Sequence, residues 1–205
     1  MIHSPNTLLI NPTITSRSSA RFPLSLLHLA GTLDRFGNSH IIDGNIDRDV
    51  VGETLRTIQG GHFDAVGVSV MGGPQTAPAI AVSRAIRERF PSVPIIWGGY
   101  FPTLYPDATL AAPYVDYAIR GQGEDSLPEL LTALRSPGGP TVAQIAGLSW
   151  KRAGEAVHNP GRRGSGPAPG LILPYDKLGD PRRYLARTFL GRRTAAHQAD
   201  RKSVV

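Results

Sequence analysis

Five short apolar runs recur in the first 120 residues, at 7–12, 39–43, 64–70, 93–99 and 114–120. They are apolar almost throughout rather than alternating, the pattern of strands buried on both faces. Between them, segments 23–33, 48–59 and 75–90 place apolar residues at helical spacing, as in Val50, Val51, Leu55 and Ile58. A further helix is expected over 125–134. Pro23 suits a first helical turn and Gly37 a helix stop. Alternation of buried strands with helices predicts a parallel sheet covered on both sides. Right-handed crossovers make it a doubly wound, five-stranded α/β fold of the Rossmann or flavodoxin kind.

The 205 residues suffice for one domain with a small extension, and 40% hydrophobic residues suffice for a core. There is no cysteine. That excludes disulfides, thiolate zinc, thiolate-held iron–sulfur clusters and a cysteine nucleophile within these residues. No apolar run approaches 18 residues, and Met1-Ile2-His3-Ser4-Pro5 lacks the features of a signal peptide, so no membrane span and a cytoplasmic setting are expected. The net charge of +6 is unevenly placed: residues 1–150 carry 10 basic and 12 acidic side chains, residues 151–205 carry 12 and 4. The basic excess sits in a Gly-, Pro- and Arg-rich stretch with no aromatic residues interleaved for stacking, so nucleic-acid binding is not expected.

Ligands on doubly wound sheets sit outside the carboxyl ends of the strands. The segments there are Asn11-Pro12, Asp43-Gly44-Asn45, Ser69-Val70-Met71-Gly72-Gly73, Gly98-Gly99-Tyr100 and Gly121-Gln122-Gly123-Glu124. Three of the five carry paired or near-paired glycines. One such turn is explained by tight geometry alone, whereas three on one edge point to a ligand that approaches the backbone closely. The turn after the first run lacks Gly-x-Gly-x-x-Gly, and no Gly-Lys-[Ser/Thr] follows any run, so dinucleotide and P-loop signatures are absent. A stand-alone nucleotide or sugar-nucleotide protein on the same edge is the alternative reading.

In order and spacing, Leu9-Ile10-Asn11-Pro12, Asp43-Gly44-Asn45, Val68-Ser69-Val70-Met71, Ile96-Trp97-Gly98-Gly99-Tyr100-Phe101-Pro102-Thr103 and Ile119-Arg120-Gly121-Gln122-Gly123-Glu124 resemble the N-terminal cobalamin-binding domain of cobalamin-dependent radical SAM enzymes. That family includes methyltransferases and the anaerobic magnesium-protoporphyrin monomethyl ester cyclase. The resemblance implies cobalamin as cofactor. Ser69 and Met71, with Gly72, resemble the turn whose hydroxyl bonds the nucleotide end of the ligand. Gly98 and Gly99, with Tyr100, resemble the Gly-Gly turn that lets the nucleotide tail pass. Gly121, Gly123 and Glu124 resemble the turn bordering the same cleft. Members with a cobalt-ligating histidine carry it after the first strand, where Asn11-Pro12-Thr13-Ile14-Thr15 stands here. A cobalt with no imidazole from this domain is therefore expected, and no residue is assigned a catalytic or metal-ligating role.

The same resemblance divides the chain into a cobalamin-binding domain over 1–140, a β-hairpin extension over 141–160 turning at Ala153-Gly154-Glu155, and an irregular linker over 161–199 toward a radical SAM barrel missing from these residues. In relatives a Cys-x-x-x-Cys-x-x-Cys loop follows soon after, holding a [4Fe–4S] cluster that binds S-adenosylmethionine. Both are expected in the intact parent only, with no radical SAM activity from these residues alone. Residues 200–205 match a reading frame of a sequencing adapter and are expected to be non-native. Of the remaining candidates, His28 faces either the core or the ligand, and Asp43 either contacts a ribose or caps its turn. Glu124-Asp125 suit a helix N-terminus more simply than acid–base catalysis.

Overall fold

The computed structural model describes residues 4–135, 141–162, 170–188 and 191–195. Five parallel strands, β1 (Asn6–Asn11), β2 (Asn38–Asp43), β3 (Ala65–Ser69), β4 (Ile95–Gly98) and β5 (Tyr117–Ile119), form the centre of one sheet. The connecting helices are α1 (Leu24–Leu33), α2 (Val50–Gly60), α3 (Thr76–Arg89), the short α4 (Tyr100–Leu104) and α5 (Pro106–Ala111), and α6 (Gly123–Arg135). Asp49 caps α2, its Oδ1 accepting from the Gly52 amide at 2.8 Å. Glu124 and Asp125 lie in the first turn of α6, where the helix dipole favours anions.

The sheet divides the core into two halves. Leu8, Ile10, Val66, Val68, Ile95, Trp97 and Ala118 pack with residues of α2, α3 and α5, among them Ile58, Val82, Ile86 and Leu110. Leu9, Ile96 and Ile119 point the other way and pack with Leu26, Ala30 and Leu33 of α1 and Leu127, Leu130 and Leu131 of α6. Burial of each such aliphatic side chain is worth about 1.5–3 kcal/mol. Trp97 satisfies its indole by donating to Ser83 Oγ at 2.9 Å.

The strand count corrects the sequence expectation. The sheet has seven strands in the order β2-β1-β3-β4-β5-β6-β7, because the hairpin of β6 (Leu148–Arg152) and β7 (Glu155–His158) joins it antiparallel to β5. The hairpin continues the sheet since Leu148 and Ile145 are buried in the α1–α6 half of the core. Its turn is Ala153-Gly154, both at positive φ (51° and 88°), as a type I′ turn requires, while Glu155, expected in the turn, pairs with Arg152 and opens β7.

A second correction concerns the stretch expected to be irregular. Short 3₁₀ turns at Tyr175–Leu178 and Pro181–Tyr184 are followed by an antiparallel pair, β8 (Ala186–Thr188) and β9 (Gly191–Thr194). The turns pack down because Leu178 and Tyr184 are buried against Ala20, Leu27 and Ile46. Phe22 stacks on Tyr184 with ring centres 4.9 Å apart. Lys177 reaches back to the carbonyl of Ser39 at 2.6 Å and to Asp34 at 3.2 Å. Residues 163–169, 189–190 and 196–199 of the expected linker, and residues 200–205, lie outside the described residues. Among the described residues no helix is long and apolar enough to cross a membrane.

Candidate functional site

The turns after β3, β4 and β5 are bound to one another, which fixes the edge as a unit. Ser69 pairs in register with Gly98. The Val70 amide donates to the Gly98 carbonyl at 2.7 Å, and the Phe101 amide donates to the Val70 carbonyl at 3.0 Å. Thr103 then bridges the next pair of turns. Its hydroxyl donates to the Gly99 carbonyl at 2.7 Å and accepts from the Gly121 amide at 2.9 Å. The sequence showed Thr103 only as the end of the Gly98–Thr103 motif. The signal available was its position four residues after Gly99, in reach of that carbonyl once the segment is helical.

Two glycines define the shape of this edge. Gly72 (φ 97°, ψ −174°) and Gly99 (φ 99°, ψ −162°) adopt the same conformation at the ends of adjacent strands. That region of backbone space is essentially closed to other residues. At Gly99 a Cβ would also lie 2.9 Å from the Val70 carbonyl oxygen. Gly98 differs: a Cβ there meets nothing within 4 Å. The same holds at Gly73 and Gly121. Gly67 and Ser69 alternate onto the α1–α6 side of the sheet with Leu9, whose Cδ2 would lie 3.0 Å from a Cβ at Gly67. At the α6 start, a Cβ on Gly123 would meet Leu29 of α1 at 3.1 Å.

The nine residues expected at the site are therefore placed as follows. Ser69, Gly98 and Gly121 share the partly open edge, and the Ser69 hydroxyl has no hydrogen-bond partner among the described residues. Met71 and Tyr100 are exposed, at 60% and 56%. Gly72 and Gly99 shape the two turns, and Gly123 sits where α1 and α6 converge. Glu124 is buried below the turn. His28 is half-buried on α1.

Asp43 resolves in favour of the capping role. Its Oδ1 accepts from the Asn45 amide at 3.0 Å and from Asn11 Nδ2 at 2.8 Å. Its Oδ2 accepts from the Tyr184 phenol at 2.9 Å. Burial pushes the carboxyl above its usual value of 3.8, against the lowering effect of the bonds from Asn45, Asn11 and Tyr184. Burial and then Asp43 itself push the Tyr184 phenol up. Since the folded pKa of Asp43 exceeds the unfolded one, its ionised form costs stability at neutral pH. That cost fades as pH falls through the folded value toward 3.8. Wild type should therefore gain stability relative to Asp43→Asn between pH 7 and pH 4. Urea midpoints at the two pH values check this, and a gap that moves the other way contradicts it.

A Ser–His–Asp chain also occurs, with His158 Nδ1 2.8 Å from Ser149 Oγ and Nε2 2.9 Å from Asp107. Ser149 is fully buried, so its hydroxyl is beyond a substrate's reach. The chain fastens the hairpin to α5. Among the described residues no group of three or more His, Asp or Glu converges as a metal site.

Strand order and the glycine edge define a ligand-holding, doubly wound α/β domain whose first turn lacks a phosphate-gripping loop. The family model described as "B12 binding domain" matches residues 12–131, and the chain belongs to that family. An uncharacterized methyltransferase, PH0819 of Pyrococcus horikoshii, is 28% identical over 141 residues, 68% of this chain and 30% of the relative. The cobalamin-dependent radical SAM methyltransferase TokK of Streptomyces tokunonensis is 35% identical over 80 residues, 38% of this chain and 12% of the relative. The radical S-adenosylmethionine methyltransferase TsrM of Kitasatospora setae, solved with cobalamin and a [4Fe–4S] cluster, superposes with a TM-score of 0.63 at 27% identity. That match covers 77% of this chain and 31% of TsrM. The chain thus spans less than a third of the length of these relatives. The cofactor expected from the sequence agrees with the family, and no finding favours the nucleotide alternative.

Proposed function

We propose that this chain is the cobalamin-holding part of a cobalamin-dependent radical SAM methyltransferase. The observation that carries the reading is Gly98. A central strand of a sheet covered on both faces ends in a residue that leaves open space where any side chain would stand. The groups around it suit the cofactor: a hydroxyl at Ser69, and backbone at Gly98 and Gly121 where a Cβ would meet nothing within 4 Å. Ser69, Gly98 and Gly99 would hold its nucleotide end. Met71, Gly72, Tyr100, Gly121, Gly123 and Glu124 would border the rest. When bound, cobalamin supplies cobalt chemistry for methyl transfer, and the protein orients it. The 205 residues hold no thiolate for a cluster. In this reading the cluster and S-adenosylmethionine belong to a radical SAM barrel of the whole protein, reached through the segment after residue 160.

The test is titration of the full chain with hydroxocobalamin, followed by its visible spectrum and by retention on desalting. Saturation at one equivalent is expected. The reduced Co(II) form should give an EPR spectrum without hyperfine coupling from a protein imidazole, because Asn11-Pro12-Thr13-Ile14-Thr15 offers none. A folded chain that leaves the spectrum unchanged and retains no corrinoid refutes the reading. Imidazole coupling refutes the ligation part alone.

A further inference from the structure

A buried chain of hydrogen bonds crosses the ends of three strands and ends at the turn after β3. The Tyr184 phenol donates to Asp43 Oδ2 at 2.9 Å. Asn11 Nδ2 donates to Asp43 Oδ1 at 2.8 Å. Gln75 Nε2 donates to Asn11 Oδ1 at 2.9 Å and to the Pro12 carbonyl at 2.8 Å. Gln75 Oε1 in turn accepts from the Met71 amide at 2.7 Å. Tyr184, Asp43 and Gln75 are exposed by only 3%, 4% and 1%.

The direction of every bond follows from one group. An ionised carboxylate only accepts, so Asn11 must turn its NH₂ toward Asp43 and its oxygen toward Gln75. Gln75 must then turn its NH₂ to Asn11, which leaves its oxygen for the Met71 amide. Asp43 itself is oriented because Tyr184 holds its second oxygen. Take away the phenol oxygen, and a buried carboxylate oxygen loses its partner and must rotate or draw in water.

Resting on the cobalamin reading, we infer that Tyr184 is a positioning residue. The segment after residue 170, docked through Tyr184, sets the Met71–Gly72 turn at the cofactor edge by way of Asp43, Asn11 and Gln75. The arrangement makes cofactor-edge geometry depend on a segment more than 100 residues away in the chain. Gln75 and Asn11 act only by handing on orientation.

Tyr184→Phe in the full chain removes the phenol oxygen and keeps the stacking on Phe22. Amide hydrogen exchange without ligand should then quicken at Met71 by roughly fivefold or more, while the amides of β6 and β7 exchange as in wild type. Hydroxocobalamin affinity should fall by a similar factor. Asp43→Asn is the conservative control. The Asn45 amide holds its oxygen in place and its NH₂ can donate to the Tyr184 oxygen, so Met71 exchange should match wild type. Unchanged Met71 exchange in Tyr184→Phe overturns the inference. So does faster exchange with unchanged affinity when wild type binds. A folded wild type that binds no cobalamin overturns the cofactor reading instead, and the exchange result then shows separately whether the relay exists.

Discussion

Valine in place of Gly98 is expected to leave folding stability within about 0.5 kcal/mol of wild type while weakening hydroxocobalamin binding by roughly tenfold to a hundredfold. The two halves of this expectation have different causes. Gly98 closes β4, and its backbone is not in the glycine-only region. A Cβ there touches nothing within 4 Å, so the folded chain has room for a branched side chain. Valine also suits a strand position. The ligand does not have that room, because the proposed nucleotide end passes this backbone. The isopropyl group of valine in a filled site costs about 1–3 kcal/mol. Chemical denaturation and a spectral titration on one preparation separate the two effects. Equal affinity for the two proteins removes Gly98 from the site, and lost stability shows the space to be needed by the fold.

Gly99→Ala should do the opposite and strike the fold first. Gly99 has φ 99° and ψ −162°, a conformation that a Cβ makes costly by about 1–3 kcal/mol. The added methyl would also stand 2.9 Å from the Val70 carbonyl oxygen and 3.1 Å from its nitrogen. Those are backbone atoms held by the Val70–Gly98 and Phe101–Val70 hydrogen bonds, so they have little freedom to yield. A loss of about 2–4 kcal/mol is expected, with cobalamin binding lost as the turns after β3 and β4 separate. Gly72→Ala shares the backbone cost but meets only Phe101, at 3.6 Å, and should lose less. A denaturation series that ranks Gly99→Ala below Gly72→Ala, with Gly98→Val near wild type, fits the geometry. A Gly99→Ala protein as stable as wild type does not.

The sequence disclosed most where local and global signals agree. The runs through Leu8–Ile10, Val66–Val68 and Ile95–Trp97 are apolar on both faces, so a parallel, doubly covered sheet followed without long-range information. The glycine turns were legible because glycine has few other reasons to cluster at strand ends. Two kinds of feature were hidden. The joining of β6 to β5 depends on Tyr117 meeting Trp150 across the sheet, a pairing no local pattern encodes. The relay from Tyr184 to Met71 joins residues 141, 32 and 64 positions apart through polar side chains of ordinary composition. The docking of the segment after 170 was masked by its Gly, Pro and Arg content, while its anchoring residues, Leu178 and Tyr184, are few. Asp43 was visible as a turn residue, but only the fold shows the three donors that surround it.

The most direct test of the glycine edge as the cofactor site is the ¹H–¹⁵N amide spectrum of the full chain with and without hydroxocobalamin. Shifts are expected at Ser69, Met71, Gly98, Gly99, Gly121 and Gly123, with Lys151 to Glu155 in the hairpin unmoved. Saturable binding that leaves these glycines unshifted, or that shifts the outer face of α3 around Ala81 and Arg84 instead, would contradict it.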